Sequence, residues 1–147
     1  MESDSSPAWL LVLMPLVFMV CFPLMWCAVL WINSQIGGWS RLAKHYRSSD
    51  DPNGKTFHSV QGQVGIVSYR AALECTANEK GLYIRPWAVF RFAHPLLFIP
   101  WSEMHGVKRT SLLWIPVVRA DVGHPRVAVL RLAAKVFEES EGRRLLP

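Results

Sequence analysis

No side chain between Ser5 and Ser40 carries a charge, and within that stretch Ala8 to Ile32 is an apolar run of 25 residues, thirteen of them Leu, Ile, Val or Phe. A helix needs roughly 20 apolar residues to cross a bilayer, and this run would extend about 37 Å. The pattern predicts one transmembrane helix over residues 8–32. Its thirteen strongest apolar residues contribute at most about 4 to 8 kcal/mol toward insertion. Pro15 and Pro23 leave the carbonyls of Leu11 and Met19 without a donor, which predicts a kinked span whose freed carbonyls a neighbour can satisfy. Trp9 and Trp31 fall near the two headgroup layers, where amphipathic rings prefer to sit.

Beyond the run the pattern becomes mixed. Ser34 to Gly38 reads as a hinge. Trp39, Leu42, Ala43 and Tyr46 then recur at helical spacing opposite Arg41, Lys44 and Arg47, predicting a short amphipathic helix that either packs on the following domain or lies on lipid. Ser48 to Lys55 is a polar linker. From Phe57 the period is extended. Strands are predicted over 57–63, 64–70 and 72–77, then a turn at Asn78–Gly81 in which Gly81 supplies a positive φ. A long strand 82–91 follows, with Pro86 at an edge or bulge. After a turn at Phe92–Pro95 come strands 96–99, 104–109, 113–118 and 126–132, the last covered on both faces. Residues 133–140 turn helical, with Val136 and Phe137 able to close the open end of a sheet.

This order predicts one N-terminal transmembrane helix plus a mainly-β domain, a small antiparallel half-open barrel with a short C-terminal helix. An open sheet with a helix on one face is the alternative. The expected divisions are an extracytoplasmic leader 1–7, the span 8–32, a juxtamembrane helix and linker 33–56, the β-domain 57–140 and a tail 141–147.

Charge changes the picture by giving a direction. All 16 Lys and Arg, and all but two of the 11 acids, lie beyond Ser34, so that part carries +7 and the leader −2. Arg41, Lys44 and Arg47 follow the span closely, and the positive-inside rule then puts the body in the cytoplasm and Met1 outside. A secretory signal peptide needs a positive n-region, yet the leader holds Glu2 and Asp4 and no basic residue. Cys21 and Cys27 follow Val20 and Trp26, which are too large for lipoprotein processing. Cys75 is alone outside the span, which suits a reducing compartment. The basic residues are dispersed singly, so attraction to an anionic leaflet is expected and nucleic acid is not.

Thr76, Glu79, Gly81-Leu82-Tyr83-Ile84 and Ile99-Pro100-Trp101-Ser102-Glu103-Met104 resemble membrane-tethered bacterial proteins with a pleckstrin-homology-like (PH-like) or GRAM-like domain. In those proteins a Thr-x-x-Glu-x-Gly-Leu hairpin precedes an Ile-Pro-aromatic-Ser-acid-Ile strand entry. Met104 departs from that pattern. The likeness covers about residues 57–140, and the stretch around Trp39, Leu42, Ala43 and Tyr46 is similar to a juxtamembrane segment of proteobacterial inner-membrane proteins. What it implies is a PH-like fold acting as a binding module.

Catalytic signals are weak. His45, His58, His94, His105 and His124 never fall at metal-ligand spacing with one another or with a cysteine. Ser102, Glu103 and His105 hold hydrolase residue types, but on a strand Ser102 points away from the other two. There is no phosphate-cradling glycine loop. An enzyme, a metal and a cofactor are therefore not expected.

Two stretches set large apolar residues beside basic ones: Arg85, Trp87, Phe90, Arg91 and Phe92, and then Lys108, Arg109, Leu112, Leu113 and Trp114. Either these aromatics fill the core with arginines at its rim, or a hairpin tip enters the leaflet or docks on a partner. The candidate surface is thus Arg85, Trp87, Arg91, Lys108, Arg109 and Trp114, with Trp39, Arg41, Lys44 and Arg47 next to the membrane. A membrane-tethered interaction module touching anionic headgroups is the expected function. The alternative is an accessory subunit or assembly factor of a membrane complex, joined through the proline-containing helix.

Overall fold

The computed structural model describes residues 7–147, and the rest of the expected leader lies outside the described residues. The first helix, α1, runs from Ala8 to Gly37 through Pro15 and Pro23. Among the described residues it is the one helix long and apolar enough to cross a membrane, and none of its most apolar window is buried. The core helix of a soluble protein would be covered instead. Its 30 residues span about 45 Å, the thickness of a bilayer with its headgroups. The expected hinge is therefore mostly helix. Only at Gly38, with φ 91°, does the chain take the left-handed conformation that ends a helix, and α2 (Trp39–Tyr46) begins at once.

Trp39 and Leu42 are fully buried, so α2 packs on the domain rather than presenting that face to lipid. Of the two expectations for this helix, packing on the domain is the one observed, and Trp39, expected next to the membrane, is a core residue.

Seven strands follow: β1 (Lys55–Val64), β2 (Val67–Ala77), β3 (Gly81–Pro86), β4 (Leu97–Pro100), β5 (Met104–Leu112), β6 (Ile115–Val122) and β7 (Ala128–Ala133). They form one antiparallel sheet in the order β4-β3-β2-β1-β7-β6-β5, curled as a half-open barrel. The last strand returns beside the first, with Gly62 opposite Leu132 and Val64 opposite Leu130. A short helix, α3 (Ala134–Glu138), sends Val136 and Phe137 into the core as expected. Leu73, Ile84, Ile99, Val118, Leu130 and Leu132 are core residues with no exposed surface. The C-terminal residues join this core, because Gly142 lies so close to Trp101 and Phe137 that a Cβ would meet both rings within 3.0 Å.

Several local readings are corrected. Gly81 opens β3 without a positive φ; the turn is held by Asn78, whose Oδ1 accepts from the Lys80 and Gly81 N–H groups. Glycine is needed there because a Cβ would lie 2.5 Å from the Ile99 carbonyl oxygen. The strand expected to reach Arg91 stops at Pro86, and Ala88–Phe90 is a 3-10 turn. Trp101–Glu103 is likewise a 3-10 turn rather than the start of a strand. Leu113 does not begin a strand: Leu112 pairs with Ile115, and Leu113 and Trp114 form a two-residue hairpin loop with φ of 49° and 70°.

The ladders give the sheet two distinct ends. At one, Gly65 between β1 and β2 meets Gly37 of α1, together with the loop after β3 and the β6–β7 loop. At the other stand the Asn78–Gly81 turn and the Leu113–Trp114 tip.

Candidate functional site

The junction of α1 with the barrel is built from backbone contact and buried polar groups. Gly65, at φ 59°, donates its N–H to the Val129 carbonyl at 2.8 Å, and a Cβ there would collide with the Gly37 carbonyl. A Cβ on Gly37 would lie 2.6 Å from Val67 Cγ2. The Ser34 hydroxyl donates to the Ala93 carbonyl at 2.7 Å and Trp39 Nε1 to the Pro95 carbonyl at 3.0 Å. These bonds tie down the loop after β3.

His94 sits at the centre of that loop, almost wholly buried. Its Nδ1 lies 2.9 Å from the Phe92 carbonyl, which can only accept, so Nδ1 carries the proton and Nε2 accepts from the Tyr69 hydroxyl at 3.0 Å. Burial holds the imidazole below its ordinary value, against the opposing pull of the Phe92 carbonyl, and burial raises the Tyr69 phenol. Trp39 packs edge-on to His94 at 5.1 Å. The resulting cluster is buried, hydrogen-bonded and favours the neutral imidazole.

Closer to the N-terminus of α1, Trp26 Nε1 donates to the Val89 carbonyl at 3.2 Å. Phe18, Phe22 and Trp26 stack in turn along one face of α1, and Trp26 meets Phe90 at 5.8 Å. An aromatic stripe thus runs from the apolar helix onto the barrel. The loop that receives it turns Trp87 (47%), Val89 (62%) and Phe92 (54%) outward. Of the aromatics expected either in the core or at a membrane-facing tip, Trp87 and Phe92 do not fill the core, whereas Phe90 is half-buried against it.

The ten expected surface residues fall in different places. Trp87 and Arg91 share the loop beside Trp26, Arg91 donating Nε–H to the Pro86 carbonyl at 3.3 Å. Arg85 is bound to Glu74, with Nε 2.8 Å from Oε1, and is no free cation. Lys108 and Arg109 lie on β5, an edge strand of the sheet, where charge discourages strand addition. Arg109 also pairs with Glu138. Trp114, 95% exposed, stands at the far end of the sheet from Trp87. Arg41 and Lys44 are exposed on α2, and Arg47 bridges to Leu97 of β4. The two aromatic-basic stretches therefore do not make one surface.

Ser102, Glu103 and His105 form no relay: Glu103 accepts from the Tyr46 hydroxyl at 3.0 Å, and His105 lies near His124. Burial and that carboxylate push Tyr46 up to about 12. Among the described residues no three His, Cys, Asp or Glu side chains converge as a metal site.

Sequence reasoning missed Arg126 and Arg131, which line one cleft with Arg41. Their wide separation in sequence hid this. Only the return of β7 beside β1, under the end of α1, brings them together. Comparison with models of protein families finds no match, and comparison with curated proteins finds none either.

Proposed function

We propose that the chain is a single-span, membrane-tethered, non-catalytic interaction module whose half-barrel rests on the cytoplasmic leaflet of a bacterial inner membrane and contacts anionic lipid. The observation that carries this reading is the Trp26–Val89 hydrogen bond beside the outward-facing Trp87, Val89 and Phe92. Trp26 lies about 16 Å along the axis before Gly37, so a loop bonded to it reaches below the headgroups when α1 spans the bilayer. Burial of the three side chains would contribute at most roughly 1.5–3 kcal/mol each. The excess of basic residues beyond α1 favours the cytoplasmic face, and the likeness around Thr76, Gly81 and Ile99 to PH-like domains supports a binding role by fold analogy alone.

Nitroxide labels test the reading in full-length protein reconstituted into bilayers, with Cys21→Ser, Cys27→Ser and Cys75→Ala in the background. A label at Val89→Cys is expected to be relaxed more by oxygen than by a water-soluble nickel chelate, and a label at Trp114→Cys the reverse. Equal access of the chelate to both positions would overturn it.

The second reading, a subunit of a membrane complex, is favoured by the exposed Leu113-Trp114-Ile115 tip, which points away from the α1 junction. Co-purification from native membranes of a partner lost on Trp114→Ala would support it, and retention of every partner by that variant would remove it.

A further inference from the structure

The cleft under the elbow between α1 and α2, about 460 Å³, is lined by Arg41, Arg126 and Arg131, and among the described residues by no acidic side chain. Its cations are weakly matched. Arg41 has no ion pair among the described residues, Arg131 donates to the neutral Gln63 at 3.1 Å, and Arg126 stands 3.8 Å from Asp121. Ile36 and Ile66, 53% and 71% exposed, border the same cleft. It therefore pairs three guanidinium groups with an apolar rim.

Depth decides which anion fits. With α1 set across the bilayer, as the membrane reading has it, its length of about 45 Å puts its last residue, Gly37, at the headgroup layer, and Gly37 forms part of the cleft wall. We infer that this cleft seats one anionic membrane phospholipid, its phosphate among Arg41, Arg126 and Arg131 and its acyl chains along Ile36 and Ile66 toward the hydrocarbon. Guanidinium forks suit phosphate oxygens, and the isoleucines have no role toward a free phosphate ion. The inference rests on the membrane reading above and names the lipid contact within it. The lipid would also wedge the elbow, since it touches α1, α2 and β7 together.

Native mass spectrometry of the full-length protein in detergent, titrated with phosphatidylglycerol or phosphatidylcholine, tests this. The expected result is one phosphatidylglycerol held at low lipid excess and no comparable retention of phosphatidylcholine. Arg41→Gln, Arg126→Gln and Arg131→Gln should each weaken that binding by about fivefold or more, while Arg144→Gln, remote in the C-terminal turn, changes it less than about twofold. Arg41 is exposed on α2, so its variant keeps the test sound if the half-buried Arg131 proves necessary for folding. Retention of both lipids alike, or equal losses in all four variants, would overturn the site. If the Val89 label remains in the leaflet in that case, the membrane reading stands and only the seat is wrong.

Discussion

Two tryptophans show how differently one residue type can be used in this chain. Trp39 has no exposed surface, packs against Tyr69 and His94, and spends its N–H on the Pro95 carbonyl. Truncating such a side chain leaves a cavity and an unpaired carbonyl, so Trp39→Ala should cost about 3–5 kcal/mol, read as a large drop in the thermal midpoint of the detergent-solubilised chain. Trp114 has almost no contacts to lose and holds φ 70° in a loop type that favours Asn-Gly. Trp114→Gly should therefore leave the midpoint unchanged or raise it by the equivalent of about 1 kcal/mol. A marked fall in midpoint for Trp114→Gly would show that the tip is part of the folded body.

His94 gives a pH dependence with a defined sign. Its folded value is depressed by burial, so the unfolded chain, titrating near about 6.5, binds the extra proton first. Its contribution is full above about pH 6.5 and is lost as pH falls through the folded value. Thermal midpoints measured from pH 8 downward should fall below about 6.5 in the parent and fall less steeply in His94→Gln. Parallel slopes would contradict the role given to the Tyr69–His94 pair.

At the level of elements, the chain is organised by the contact between α1 and the β1–β2 turn. Gly65 permits it twice, through a positive φ and through the absence of a Cβ facing Gly37. Gly65→Ala should push the helix end away from the sheet. It should cost more than about 1 kcal/mol, and a spin-label distance between α1 and β7 should broaden or lengthen relative to the parent. An unchanged distance distribution would mean that the elbow is held by α2 alone.

The element pattern was legible where burial follows sequence periodicity. Leu73, Cys75 and Ala77 alternate along β2 and are all buried, although Thr76 on the opposite face is buried as well, and Val136 and Phe137 close the barrel. It was not legible where tertiary contact overrides local signals. The hairpin at Leu113–Trp114 contains no turn-forming residue, and Gly81 is kept for a close approach of β4 rather than for its φ. The 3-10 turn at Ala88–Phe90 is apolar throughout and reads as more strand. Its fate is set by Trp26 and Ser34, more than fifty residues away.

On the scale of the whole molecule, the candidate surface could be only half read from sequence. Trp87 and Arg91 were recognisable as aromatic and basic neighbours, but nothing local said that they lie beside α1 while Trp114 lies at the opposite end of the strands. The cleft of Arg41, Arg126 and Arg131 depends on sheet closure, which sequence order does not display. With Trp39 and Leu42 in the core, the folded body begins at α2, so a fragment starting at Ser48 should fail to fold cooperatively whereas one starting at Trp39 retains the complete core.

The proposed leaflet and lipid contacts require α1 to stay in the bilayer as part of the mature chain, with the half-barrel fixed to its end. Alkaline carbonate extraction of native membranes, followed by intact-mass measurement, tests this most directly. The expected result is that the protein stays in the membrane pellet with residues 8–37 still attached. Release of the full chain into the supernatant, or recovery of a chain cleaved within that helix, would contradict it.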